Sequence, residues 1–171
     1  MFAGTPFRGQ VALVTGGGSG IGYAIAKAFL QAGTQVVICG RNPEKLQRAV
    51  ETLSESGPIY AYRCDIRNLD EVNTLADQIQ AECGKLHILI NNAGGQYPAP
   101  AENITPKGFQ AVIQNNLIGT WNVIYTMAHR FFLSPRQGVI VNIIANIYRG
   151  FPGMLHTGAA RAGVENLTRT L

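Results

Sequence analysis

The stretch Val11-Ala12-Leu13-Val14-Thr15-Gly16-Gly17-Gly18-Ser19-Gly20-Ile21-Gly22 decides the fold. Its first five residues read as a short strand buried on both faces, and the glycines that follow read as a turn. Beyond the turn Ile21, Ala24, Ile25, Ala28, Phe29 and Ala32 recur at the spacing of one helix face. A strand, a glycine turn and a helix in immediate succession set free N–H groups and the positive end of a helix dipole at the tip of a strand. Glycine meets three needs there: a tight turn, close approach of backbone to a pyrophosphate, and close packing of helix on strand. The spacing is GxxxGxG over Gly16, Gly20 and Gly22, so these, with Gly18, Ser19 and Ile21, are the candidate phosphate-binding residues.

Working outward, Gly33 stops the first helix and Val36 to Cys39 form a second strand. Asn42 caps a helix with Pro43 at its first position and Leu46, Ala49, Val50 and Leu53 facing inward. Ile59 to Cys64 is a third strand; Asn68 and Glu71 match a capping box ahead of the stripe Leu69, Val72, Leu75, Ala76 and Ile79. Leu86 to Ile90 is the fourth strand, Pro98, Pro100 and Pro106 bracket a loop, a long helix runs from Lys107 to Phe132, and Val139 to Ile144 is the fifth strand. Helix resumes at Thr157 and continues to Leu171. This alternation specifies an α/β fold, a doubly wound parallel sheet of Rossmann type in three αβα layers, with residues 1–171 as a single domain. The chain ends in mid-helix with neither a capping glycine nor a polar tail, the expected look of a truncated domain.

Composition narrows the function. Twenty glycines in 171 residues, 46% apolar and 14% charged residues describe a folded globular domain. No apolar run approaches the ~18 residues of a membrane span, and Met1 to Gln10 lacks the core of a signal peptide, so no membrane association and a cytoplasmic address are expected. Cys39, Cys64 and Cys83 form no CxxC pair; they read as small buried apolar residues, and no metal site is expected. The net charge of +4 is uneven, with 8 basic and 9 acidic residues up to Glu102 and 6 and 1 after it. That surplus suits an anionic small molecule; the charges are scattered singly, without interleaved aromatics, which argues against nucleic acid.

The second strand ends in Cys39-Gly40-Arg41, where a dinucleotide fold reads the adenosine ribose. No carboxylate stands there before Glu44, and arginine pairs bidentately with phosphate, so Arg41 favours NADP(H) over NAD(H) unless it is only a solvated surface residue. Asp65, at the end of the third strand, faces the same crevice.

With Asn91-Asn92-Ala93-Gly94 closing the fourth strand, the sequence resembles the short-chain dehydrogenase/reductase family along its whole length. The motifs TGGGSGIG at 15–22, Asp65, NNAG at 91–94 and NLIG at 116–119 stand in the family's order and spacing. The resemblance implies that Gly16, Ser19 and Ile21 line the pyrophosphate and ribose, that Asp65, with Ile66 beside it, holds the adenine, that Asn92, Ala93 and Gly94 support the dinucleotide, and that Asn116 orders a proton relay. The family's catalytic tyrosine, lysine and serine fall on Thr157, Arg161 and Ile144. A threonine hydroxyl is a far weaker acid than tyrosine, with its pKa of ~10, and isoleucine offers a carbonyl nothing, so the usual alcohol/ketone relay is absent.

One branch fits this departure. Val141 to Ile144, Gly150-Phe151-Pro152 and His156 to Gly163 resemble peroxisomal-type trans-2-enoyl-CoA reductases, and Asn146-Ile147-Tyr148 is similar to the tyrosine-bearing segment of 2,4-dienoyl-CoA reductases. The resemblance implies NADPH-dependent reduction of a C=C bond conjugated to a thioester, in which donors to the developing enolate matter most. Tyr148 is then the candidate donor, Asn116 its neighbour, and Arg161 the residue holding the nicotinamide ribose; Tyr97 is a further candidate for substrate contact and His156 for the acid, although a lone histidine before a helix is more often a cap or a packed ring. The expected ligand is an acyl thioester and the expected complete protein a homo-oligomer. A carbonyl reductase of the same fold and a non-catalytic NADP-binding protein are the rival readings, separated from the first by turnover of thioester, of ketone, or of neither.

Overall fold

The computed structural model describes residues 4–171; the beginning of the Met1 to Gln10 stretch, residues 1–3, lies outside them. Five strands, β1 Val11–Thr15, β2 Gln35–Gly40, β3 Ile59–Arg63, β4 Ile88–Asn91 and β5 Val139–Asn142, form one sheet in the order β3-β2-β1-β4-β5. All its pairings are parallel, with Val11 opposite Gln35 and Ala12 opposite Ile88. The order turns back at β1, so the carboxyl ends of β1, β2 and β4 open a crevice at the switch point. Helices α1 Gly20–Gln31 and α2 Pro43–Leu53 share one apolar layer with one sheet face, where Ala26, Leu30, Leu46 and Leu53 meet Val14, Val36 and Ile38. On the other face α3 Leu69–Cys83 and the long helical segment packed beside it enclose Leu13, Val37, Leu75, Ile79, Val123 and Met127. Each fully buried leucine or isoleucine in these layers contributes roughly 1.5–3 kcal/mol of transfer free energy.

The helix expected from Lys107 to Phe132 begins at Pro106, behind the Thr105 cap whose Oγ1 accepts from the Gly108 N–H at 3.1 Å. It is interrupted twice: α4 Pro106–Ile113 and α5 Gly119–Met127 are joined by a π-helical turn, Gln114–Ile118, and a second one, Ala128–Phe132, follows α5. α6 Leu155–Thr170 begins two residues before the expected Thr157.

Four further expectations need correction. Of the expected stripe on α1, Ile25 and Phe29 pack against the core and Ala32 is buried, but Ile21 is 65% exposed and Ala24 and Ala28 are also exposed; the fully buried face is Gly22, Ala26 and Leu30, because the close approach of Gly22 to the glycine turn sets which side meets the sheet. Leu86 lies before β4, at the amino end of the sheet, and Ile143–Ile144 lie beyond β5, where the chain leaves the sheet after a last bond from Ile143 N–H to the Asn91 carbonyl at 2.9 Å. The capping box is not closed: the Asn68 carboxamide accepts from the Asp70 N–H, while Glu71 Oε2 turns away to accept from Asp65 N–H at 2.9 Å. Cys39 and Cys64 are buried, but Cys83 is only half-buried.

Candidate functional site

The glycine turn is shaped by its neighbours. Gly16 and Gly20 adopt φ of +68° and +57°, a left-handed backbone that glycine alone enters without strain. A methyl group on Gly22 would lie 2.4 Å from the Gly16 carbonyl oxygen, so this glycine is what allows α1 to start directly beneath the turn. Ser19 is the α1 N-cap, with no capping bond from its side chain, and the first turn carries no acid, which leaves the positive end of the helix dipole uncompensated.

Thr15 at the tip of β1 joins the turn to β4, a role that sequence reasoning missed. Its Oγ1 accepts from the N–H groups of Asn92 (3.0 Å) and Ala93 (2.9 Å), while Asn92 Nδ2 donates to the Thr15 carbonyl at 3.0 Å. The resulting crevice has a volume of about 670 Å³, with Gly16, Gly18 and Ser19 on one wall, Asn92, Ala93 and Gly94 on another, and Arg41, Asp65 and Ile66 at the far end. Backbone N–H donors, a dipole end and an arginine along one groove are the donor set that a dinucleotide phosphate requires, so the residues present fit such a cofactor.

At the far end Asp65 is already engaged. Its Oδ1 accepts from the Arg67 N–H at 3.1 Å and from Arg67 Nε at 2.9 Å, and its Oδ2 accepts from Arg67 Nη2. These hydrogen bonds outweigh partial burial and, with the positive charges of Arg67 and Arg41 nearby, hold the carboxyl below its ordinary 3.8. Arg41 is exposed and has no carboxylate in ion-pair contact among the described residues, since Glu44 pairs with Arg48.

A second cleft, of about 400 Å³, adjoins the first and is lined by Ile21, Gln96, Ile143, Ile144 and Arg161. Arg161 is 8% exposed and pairs with no carboxylate among the described residues; its Nη1 donates to the Ile143 carbonyl at 2.8 Å. Burial pulls its pKa below the ordinary arginine value, yet a guanidinium stays protonated at neutral pH. Asn116 is fully buried in the first π-helical turn, where its Nδ2 donates to the carbonyls of Gly95 (2.7 Å) and Val112 (3.0 Å). A methyl group on Gly94 would lie 2.3 Å from Arg161 Nη2 and 2.6 Å from Asn116 Oδ1. Gly94 of the NNAG segment, Asn116 and Arg161 are therefore one packed unit.

Tyr148 is not part of that unit. Its ring is 89% exposed on the segment between β5 and α6, and it lines neither cleft. Thr157 and His156 also line neither cleft, but are buried at the start of α6. Thr157 Oγ1 and His156 Nε2 have no hydrogen-bond partner among the described residues, and the Tyr97 ring meets His156 edge-on at 4.6 Å. Thr157 lies one helical turn before Arg161, on the same face.

A family model described as short chain dehydrogenase matches residues 10–171. Among curated relatives, the peroxisomal 2,4-dienoyl-CoA reductase of Mus musculus is 41% identical over 168 residues, covering 95% of this chain and 56% of that protein. A probable 2,4-dienoyl-CoA reductase of Bacillus subtilis (strain 168) is 36% identical over 164 residues, covering 95% and 65%. The chain thus spans less than two thirds of the length of these relatives. Among solved structures, a citronellol catabolism dehydrogenase of Pseudomonas aeruginosa PAO1 superposes with a TM-score of 0.94 at 43% identity, covering 99% of this chain and 70% of that one. An NAD+-bound xylitol dehydrogenase superposes with a TM-score of 0.92 at 29% identity, covering 96% and 64%. With the motifs of the sequence gathered around one crevice, and a family match running from just before β1 to the end of α6, the chain belongs to the short-chain dehydrogenase family.

Proposed function

We propose that the complete protein is an NADP(H)-dependent reductase of the C=C bond of a 2-enoyl thioester or its 2,4-dienoyl counterpart. The observation that carries this reading is the second cleft: beside buried, cationic Arg161 the wall is Ile143 and Ile144, so the position from which a serine would address a carbonyl is apolar. The dienoyl-CoA reductases among the relatives support the same class.

The bound cofactor supplies a hydride. Reduction of a 2-enoyl thioester would place that hydride on the β-carbon and negative charge on the thioester oxygen, with a proton from solvent completing the α-carbon. Gly16, Gly18, Ser19, Gly20, Ile21 and Gly22 form the phosphate turn, Arg41 addresses a 2′-phosphate, and Ile66 with Asn92, Ala93 and Gly94 walls the dinucleotide. Arg161 holds the nicotinamide ribose through its guanidinium, and Asn116 fixes the Gly95 backbone opposite. Stabilisation of the enolate oxygen requires a hydrogen-bond donor. Tyr148 fills that role only when the segment from residue 145 to 154 folds over bound substrate; Thr157, already buried on the face of Arg161 with an unpartnered hydroxyl, is the second reading.

Loss of reduced nicotinamide, measured in the complete protein with crotonyl-type thioesters, dienoyl thioesters and simple ketones, tests the class. Turnover of ketones alone, or of nothing, overturns it. Tyr148→Phe is expected to lower kcat for the thioester by roughly 10² if the loop tyrosine donates, the scale of one lost oxyanion donor, with Thr157→Val nearly silent. The opposite ranking assigns the donor to Thr157.

A further inference from the structure

The chain between β5 and α6 is held at both ends and free in the middle. At its β5 end the Ile143 N–H donates to the Asn91 carbonyl at 2.9 Å, and the Ile143 carbonyl accepts from Arg161 Nη1 at 2.8 Å. At its α6 end the Gly153 carbonyl accepts from the Ala99 N–H at 2.8 Å and the Met154 N–H donates to the Phe151 carbonyl at 2.9 Å. Phe151 also packs on α6, where a methyl group on Gly158 would lie 3.2 Å from its Cβ. Between these anchors Tyr148, Arg149 and Gly150 are exposed. The Tyr148 N–H donates to Asn146 Oδ1 at 3.3 Å and the Gly150 N–H to the Ile147 carbonyl at 3.0 Å, bonds that lie within the segment and can travel with it. Gly150 has a φ of +82°, and a methyl group there would meet nothing within 4 Å, so the backbone can turn at this residue without collision.

Resting on the thioester reading above, we propose that residues 144–150 are a lid over the second cleft and that the acyl thioester, not the cofactor, closes it. The stem of the segment is already the wall: Ile143, Ile144 and Ala145 line that cleft, whereas no residue of the segment lines the cofactor crevice. Three residues separate Ala145 from Tyr148, a reach of about 10 Å when extended, which is more than the edge, about 7 Å, of a cube of 400 Å³. Closure onto an empty cleft would set the Tyr148 hydroxyl against the side chains of Ile143 and Ile144, which offer no acceptor, while the Ile143 carbonyl is already used by Arg161. A hydroxyl that loses its water without finding a partner opposes closure, and the lid stays open. A thioester in the cleft supplies both what the hydroxyl needs, a carbonyl acceptor, and what the ring needs, an apolar acyl surface. The bond from Ala99 to Gly153 ties the fixed end of the lid to the loop whose Gly95 and Gln96 also line the cleft, so the lid closes against a held rim.

Arg149 at the tip makes the lid a tryptic site. The experiment is limited tryptic digestion of the complete protein, with the cut after Arg149 followed by mass spectrometry and hydrogen exchange of the amides of residues 145–150 as a second readout. The cut is expected at the same rate, within about twofold, in the free protein and with NADPH. With NADP+ and a saturated acyl thioester it is expected to slow by about tenfold or more, the ratio for a lid closed about nine-tenths of the time. Arg149→Gln is expected to abolish this cut and to keep the slowing of exchange by the thioester. Protection by NADPH alone, or equal rates with and without the thioester in a protein that reduces the unsaturated form, overturns the lid and leaves the reaction class standing. Absence of turnover with any thioester removes the reaction class and this inference with it.

Discussion

Arg41 shows how much a single residue decides. It stands where β2 ends, exposed at the edge of the crevice, with the neighbouring acids Glu44 and Asp65 already paired to Arg48 and Arg67. A cation with no competing carboxylate should favour a 2′-phosphate over a bare ribose. NADPH is therefore expected to bind at least tenfold more tightly than NADH, about 1.4 kcal/mol, and Arg41→Ala to remove most of that difference; equal affinities in a titration would refute this. The sequence exposed Arg41 to this reasoning because only its position at a strand end was needed. It did not expose the pairing of Asp65, although the Asp-x-Arg spacing of Asp65 and Arg67 is a signal that could have been read, an aspartate accepting from the backbone two residues on.

At the level of elements, His87 ties three strands together just before β4. Its Nδ1 accepts from the Val11 N–H at 3.0 Å, its own N–H donates to the Val11 carbonyl at 2.9 Å, and its carbonyl accepts from Val139. Partial burial, reinforced by the charge of Lys85, lowers its pKa from the ordinary 6.5, and protonation of Nδ1 would remove the acceptor that Val11 uses. As pH falls the unfolded chain takes up this proton before the folded one does, so the stabilisation is fully present above 6.5 and is lost progressively below it. Urea midpoints measured between about pH 7.5 and 5 should fall with acidity, and His87→Gln should flatten that slope by removing the titrating group; an equal slope in the variant would exclude His87 as its source. The π-helical turn at Gln114–Ile118 is the other decision made at this scale. Hydrophobic spacing predicts a helix through this region but not the extra residue in its turn, and with that turn Asn116 is buried against Gly95.

In the whole molecule the sheet has β5 at one edge, with Val139 and Val141 55% and 41% exposed. A parallel edge strand with apolar residues in solvent is a template for further pairing. The 171-residue chain on its own is expected to self-associate in a concentration-dependent way, and Val141→Lys to return it toward a monomer in light scattering; a monomer at all concentrations would contradict this. Much of the architecture was legible in the residues themselves. Continuous apolar runs, capping Asn42 and the glycine turn are local signals, and a parallel α/β sheet follows from their alternation because buried strands and one-sided helices have few ways to cover each other. The ordered motifs likewise carry the family's pattern in the sequence alone. What the tertiary structure alone decided were relations between distant residues: that Gly94 is pinned between Arg161 and Asn116, that Thr15 ties the glycine turn to β4, that Tyr148 lies in solvent while Thr157 is buried, and that Arg67 occupies the carboxylate of Asp65. Periodicity and propensity act within a few residues of the chain, whereas hydrogen-bond saturation and close packing are set by which segments the fold brings into contact, and that is fixed only when the whole sheet has formed.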